Sequence, residues 1–128
     1  MEKKLVGKYM TPTPHTISAE QNLIFAQNRM NELGIRHLPV LRGGQLIGIL
    51  SDRDIKFLES FDGMKPEEID VEDACTYDPY IVDSNTTLKE VTVTMAEKKY
   101  GCVLVKDDGK LAGIFTWIDA LKVLSTLS

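Results

Sequence analysis

The chain has 128 residues, 43% of them apolar and 27% charged, with a formal net charge of −4. This is the composition of a folded globular protein, and an acidic balance argues against a nucleic-acid binder that tracks the phosphate backbone, which needs a basic face to displace counterions, although it leaves room for local basic patches. No stretch approaches the roughly 18–20 apolar residues of a membrane span, and Met1-Glu2-Lys3-Lys4 opens no apolar leader, so a cytoplasmic protein without membrane partners is expected.

From the amino terminus, Thr16-Ile17 reads as a short extended segment. Ser18, with Gln21 three positions on, offers a capping box to a helix whose Leu23, Ala26, Met30 and Leu33 fall on one face. Two strand-like runs follow, Leu38 to Leu41 and Gln45 to Leu50, joined across Gly43-Gly44, a pair suited to the positive φ angles of a tight hairpin turn. A second helix begins at Ser51. Residues 56–75, with Asp62-Gly63 and Pro66, read as the end of that helix and a connecting segment. The pattern then starts again: Ile81-Val82 extended, Leu88, Val91 and Met95 on one helical face, strands from Cys102 to Lys106 and Lys110 to Phe115 across Asp107-Asp108-Gly109, and a helix from Thr116. Cys75 and Cys102 have neither disulfide-scaffold nor metal-ligand spacing, which leaves reduced packing groups or a redox role.

The recurrence is at a fixed interval of 65 residues, and it extends to identities: Val6 with Val71, Thr11 with Thr76, Leu23 with Leu88, Met30 with Met95, Gly48 with Gly113. Strand, helix, strand, strand, helix is written twice, which predicts an α+β fold of two βαββα repeats. The repeats are drawn at residues 1–60 and 75–128 about a linker at 61–74. A unit of about 60 residues buries too little surface to be stable alone, so the two are expected to pack about a pseudo-twofold axis as one cooperative module.

Both repeats end in Gly-x-x-[Ser/Thr]-x-x-Asp, as Gly48, Ser51 and Asp54 and as Gly113, Thr116 and Asp119. The glycine clears space where the strand meets a cleft, so that a flat ligand can approach the backbone. The hydroxyl residue sits where the helix begins, beside unpaired N–H groups suited to a phosphate. The aspartate, three residues on, has two oxygens with which to accept from the two hydroxyls of a ribose. Such a spacing also describes a plain N-terminal helix cap, and that reading stands beside the first.

These residues, with Val6-Gly7-Lys8-Tyr9-Met10-Thr11 at the entry and Gly34-Ile35-Arg36-His37-Leu38-Pro39-Val40 before the hairpin, make the chain similar to the cystathionine-beta-synthase (CBS) domain pair, or Bateman module, over nearly its whole length. The resemblance implies a disc-like pair of repeats with two clefts for adenosine-containing ligands: AMP, ADP or ATP most often, S-adenosylmethionine or NADH in other members. It implies ribose contacts at Asp54 and Asp119, phosphate contacts at Ser51 and Thr116, and adenine held by the main chain about His15-Thr16-Ile17 and Tyr80-Ile81-Val82. The resemblance also implies that Arg36 and His37 in the first repeat are directed toward the phosphates, with Pro39 after them among the expected ligand-binding residues. Gly101, Cys102 and Leu104 replace them in the second, so one competent cleft and one weaker or empty cleft are expected. Arg36 solvated at a strand start and His37 half-buried without a ligand are the alternatives. Trp117 is read as a cleft, partner-surface or buried packing residue.

No catalytic constellation is present: no HExxH pair, no Gly-x-Ser-x-Gly elbow, no phosphate-binding Gly-x-x-x-x-Gly-Lys-[Ser/Thr] loop. The expected function is therefore not enzymatic. It is a stand-alone adenine-nucleotide sensor, homodimeric as the resemblance implies, that acts on a separate, unidentified regulated protein, with no catalytic cofactor and no metal. The alternatives are a structural or dimerisation module with vestigial clefts and, more distantly, an enzyme of nucleotide chemistry.

Overall fold

A computed structural model describes residues 3–12 and 14–127. Met1 and Glu2, part of the opening read for a leader, lie outside the described residues. The chain divides into two compact units, His15–Pro79 and Met1–Pro14 with Tyr80–Ser128.

In His15–Pro79, β2 (Ile17–Ser18) leads to α1 (Leu23–Leu33), a hairpin of β3 (His37–Arg42) and β4 (Gln45–Ser51), and α2 (Asp52–Glu59). A 3-10 turn (Pro66–Glu68), α3 (Val71–Ala74) and β5 (Thr76–Tyr77) follow, and the sheet runs β2-β3-β4-β5. The cap of α1 differs from the expected Ser18–Gln21 box. Asn22 is the N-cap, its side chain accepting from the Phe25 N–H at 2.9 Å, while Ser18 lies in β2 and bonds Glu20. Asparagine so placed satisfies one of the helix's orphan donors, which is all a cap must do.

Three of the four stripe residues of α1 pack as their spacing requires: Leu23, Ala26 and Met30 join Leu38, Val40 and Leu50 from the sheet and Ile55 from α2 in one buried cluster, while Leu33 is half-buried outside it. Val71 belongs to the same cluster and is fully buried. A side chain of that size contributes roughly 1.5–3 kcal/mol when removed from water. The segment 61–74 is therefore no spacer at its carboxyl end. The Val71 N–H donates to the Gln21 carbonyl at 2.7 Å, and the Leu23 N–H donates to that of Ile69 at 3.0 Å.

In the other unit, β1 (Thr11–Pro12) pairs antiparallel with β8 (Lys110–Thr116), and the sheet continues through β7 (Cys102–Asp107) to β6 (Ile81–Asp83). α4 (Leu88–Lys98) and α5 (Trp117–Ser125) complete it. Its core repeats the first, with Leu88, Val91 and Met95 from α4, Val103, Val105 and Phe115 from the sheet, and Val6 from the amino-terminal segment. The two βαββα patterns are thus present, yet the compact units do not follow the repeat boundaries at 60 and 75. Each sheet is finished by a two-residue strand from outside its repeat frame, β1 beside β8 and β5 beside β4. No helix among the described residues is long and apolar enough to cross a membrane.

Candidate functional site

Both Gly-x-x-[Ser/Thr]-x-x-Asp motifs fall where a strand hands over to a helix, β4 to α2 and β8 to α5. In the first, Ser51 is the N-cap of α2: the Asp54 N–H donates to Ser51 Oγ at 3.1 Å, and the Ser51 N–H donates to Asp54 Oδ2 at 2.9 Å. Both halves of a reciprocal capping box are formed, so the cap reading holds whatever else the motif does. Asp54 Oδ1 accepts nothing among the described residues.

In the second motif the Thr116 N–H donates to Asp119 Oδ2 at 2.9 Å and the Thr116 hydroxyl to the same oxygen at 3.3 Å. Asp119 Oδ1 is also taken, by the Thr11 hydroxyl at 3.0 Å. Asp119 is 6% exposed and is the buried charged residue among those described, whereas Asp54 is half-buried. The two carboxylates have equivalent places in the repeat and different accessibility.

Asp54 lines an open groove of about 320 Å³ together with Arg53, Phe57, Leu58, Asp73 and Ala74. The volume is at the lower end of the roughly 300–1,000 Å³ typical of ligand clefts. The lining joins apolar Phe57, Leu58 and Ala74 to charged Asp54, Asp73 and Arg53, a mixture that suits a ring and its hydroxyls better than a phosphate.

The remaining candidates divide between the units. His37 is half-buried at the start of β3, opposite Ser51 in the antiparallel ladder, and the Arg36 carbonyl accepts from the Asp52 N–H at 2.8 Å. Arg36 and His37 are therefore brought beside the start of α2, although neither lines the groove. Burial pushes the His37 imidazole below its ordinary value; the negative charge of Asp54 opposes this, and Arg36 and Arg53 reinforce it. Thr16 is exposed, but Ile17 and Pro39 are buried, so their side chains are not offered to a ligand. In the other unit Ile81 begins β6 and is exposed, and Tyr80 just before it is half-buried with its ring 5.4 Å from that of Tyr100.

Two readings need correction. A β-carbon on Gly48 would meet the Thr76 carbonyl at 2.5 Å and Cys75 Sγ at 3.1 Å, and one on Gly113 would meet the Thr11 carbonyl at 2.7 Å. These glycines make room for the chain's own β5 and β1, not for a ligand. Trp117 is 61% exposed, which removes the buried packing role; its indole N–H donates to the Tyr100 carbonyl at 3.1 Å. Thr11 escaped notice as a site residue, and the signal that marked it was its recurrence as Thr76 in register. Cys75 and Cys102 are half-buried, and burial pushes the Cys75 thiol up.

Comparison with known proteins bears on the same residues. A family model described as CBS domain matches residues 6–59 and 71–126, which include both motifs. An inosine-5′-monophosphate dehydrogenase of Korarchaeum cryptofilum is 34% identical over 102 residues, covering 79% of this chain and 20% of that protein. The chain thus spans about a fifth of the length of the curated relatives it matches. Among solved structures, CBSX2 in complex with AMP is 26% identical with a TM-score of 0.81, covering 97% of this chain and 98% of that one. A conserved protein of Pyrococcus horikoshii is 28% identical with a TM-score of 0.87, covering 97% and 95%.

Proposed function

The chain belongs to the CBS-domain family, and on that premise we propose that it is a regulatory module that binds an adenosine-containing ligand of the AMP, ADP or ATP kind and acts on a separate partner protein. The observation that carries this reading is the Asp54 carboxylate: one oxygen is fixed by the cap of α2, the other accepts no bond among the described residues, and the group lines a groove with Phe57, Leu58 and Ala74. Such a carboxylate can accept from a ribose diol without giving up a structural bond. The AMP held by CBSX2, a structural relative of nearly the same length, supports the adenosine class.

In this reading Ser51, with Arg36 and His37 beside it, receives the phosphate, and main-chain groups at Thr16 and Ile17 hold the base. Thr116, Tyr80 and Ile81 have the corresponding roles in the other unit. The dehydrogenase activity of the longer relatives is not carried over, because the match covers only about a fifth of their length. The proposed role is regulatory, not catalytic, in a cytoplasmic protein.

A second reading, a dimerisation module, has its own support in α5. Trp117, Ile118, Leu121 and Leu124, and Leu127 just beyond, are all more than half exposed. A row of this kind on one short helix is the sort of patch that pairs with another protein surface, and we assign it to a homodimer. Calorimetry separates the two readings: saturable binding of AMP, ATP or S-adenosylmethionine that is lost in Asp54→Ala supports the sensor. Silence with all three ligands leaves the dimerisation module.

A further inference from the structure

The proposed sensor has two related carboxylates, and hydrogen-bond capacity distinguishes them. An ionised carboxylate offers about four lone-pair sites on its two oxygens. Asp119 accepts three hydrogen bonds from its own chain, two from Thr116 and one from Thr11. One place remains, and a ribose diol brings two donors. Asp54 accepts a single bond among the described residues, from the Ser51 N–H, and keeps room for both.

Part of the difference is local and part is not. The Thr116 N–H bond belongs to the cap and has its counterpart at Ser51, and the Thr116 hydroxyl adds a second bond to the same oxygen, whereas the bond on Asp119 Oδ1 comes from Thr11, on a strand 108 positions away in the sequence. Thr76 holds the equivalent place in the repeat and makes no bond to Asp54 among the described residues. The Thr11 backbone is fixed by pairing with Ile114 in β8, yet the residue is exposed, so its side chain can turn away without moving the strand.

We propose that Thr11 is an affinity-setting latch: its hydroxyl occupies the oxygen of Asp119 that a ribose requires, so the adenosine ligand is taken at Asp54 and the Asp119 site is held in reserve. This rests on the reading of the chain as an adenosine-ligand sensor and specifies which of its two sites answers first. Filling the Asp119 site requires breaking a bond to a charged acceptor, a penalty that corresponds to about a ten- to hundredfold loss of affinity there relative to an unlatched site.

The test is calorimetric titration of the full chain with AMP, with the number of sites as the readout. The intact protein is expected to bind one AMP per chain tightly, with that binding lost in Asp54→Asn and kept in Asp119→Asn. Thr11→Val keeps the shape and removes the donor; it is expected to tighten the second site by about ten- to hundredfold. Thr11→Ser keeps the hydroxyl and should behave as the intact chain, which separates the latch from a disturbance of β1. Adding Asp119→Asn to Thr11→Val should abolish the gained site. Two equal sites in the intact chain, or a Thr11→Val profile like that of the intact chain, overturn the latch and leave the sensor reading intact. No binding of AMP by either the intact chain or Thr11→Val overturns the AMP reading and the latch together.

Discussion

Cys75 Sγ lies 3.1 Å from where a β-carbon on Gly48 would stand, and the Thr76 carbonyl lies closer still, at 2.5 Å. The second motif glycine is filled in the same manner, since Met10 and the Thr11 carbonyl press on Gly113. Each glycine is thus a seat for the strand that completes its sheet. Gly48→Ala and Gly113→Ala are expected to push β5 and β1 off their sheets and to lower stability by about 1–3 kcal/mol, the range for overpacking a filled site. Urea denaturation of the two variants measures this, and stability within error of the intact chain would show that the strands give way freely.

That crowding also shows why part of the fold was legible in the sequence and part was not. The helices and hairpins declare themselves locally: Leu23, Ala26 and Met30 recur at helical spacing, and Gly43-Gly44 and Asp108-Gly109 mark the turns. The joint of strand and helix at Ser51 was legible for the same reason, because the reciprocal box with Asp54 spans only three residues. What stayed hidden is non-local and short. Thr11–Pro12 and Thr76–Tyr77 are two-residue strands, too brief for any alternation to register, and their partners lie far along the chain. The expected cap at Ser18 failed because several polar residues precede α1 and the backbone pairing of β2 with β3 reserves Ser18 for the sheet.

His37 predicts a pH dependence with a definite sign. Burial lowers its folded-state pKa below the ordinary histidine value of 6.5, so in the acid range the unfolded chain binds more protons than the folded one. Stability therefore rises with pH in that window and falls as the pH drops below about 6.5 toward the folded value. Arg36 and Arg53 add to the effect, while Asp54 and Asp52 oppose it. Denaturation midpoints measured from pH 5 to pH 8 should show this slope in the intact chain and a shallower one in His37→Gln. Parallel profiles for the two proteins would remove His37 as its source.

The apolar row on α5 makes a prediction about assembly. Stable interfaces bury on the order of 800 Å² per partner, and side chains such as Ile118 and Leu121, each more than half exposed, supply part of that area. Leu121→Glu introduces a charge at the middle of the row and is expected to shift a dimer to monomer in sedimentation equilibrium, with the helical circular dichroism unchanged. Trp117 is the sole tryptophan and is exposed, so its emission should move to the red as the protein is diluted through the dissociation range. A chain that is monomeric at all concentrations would refute the pairing.

The unequal bonding of the two motif aspartates predicts unequal structural costs, independent of any ligand. Asp54→Ala removes one accepted bond and a charge near the start of α2, worth about 1 kcal/mol. Asp119→Ala removes three accepted bonds at a buried site and leaves the Thr116 N–H without its acceptor, so a loss of about 1.5–3 kcal/mol is expected. It also cuts a side-chain tie between β1 and α5. Hydrogen exchange at the Thr11 and Ile114 amides should therefore quicken in Asp119→Ala, with no such change in Asp54→Ala. If the two variants lost equal stability and left those amides alike, Asp119 would be a cap like Asp54 and nothing more, and its bond to Thr11 would have no energetic weight.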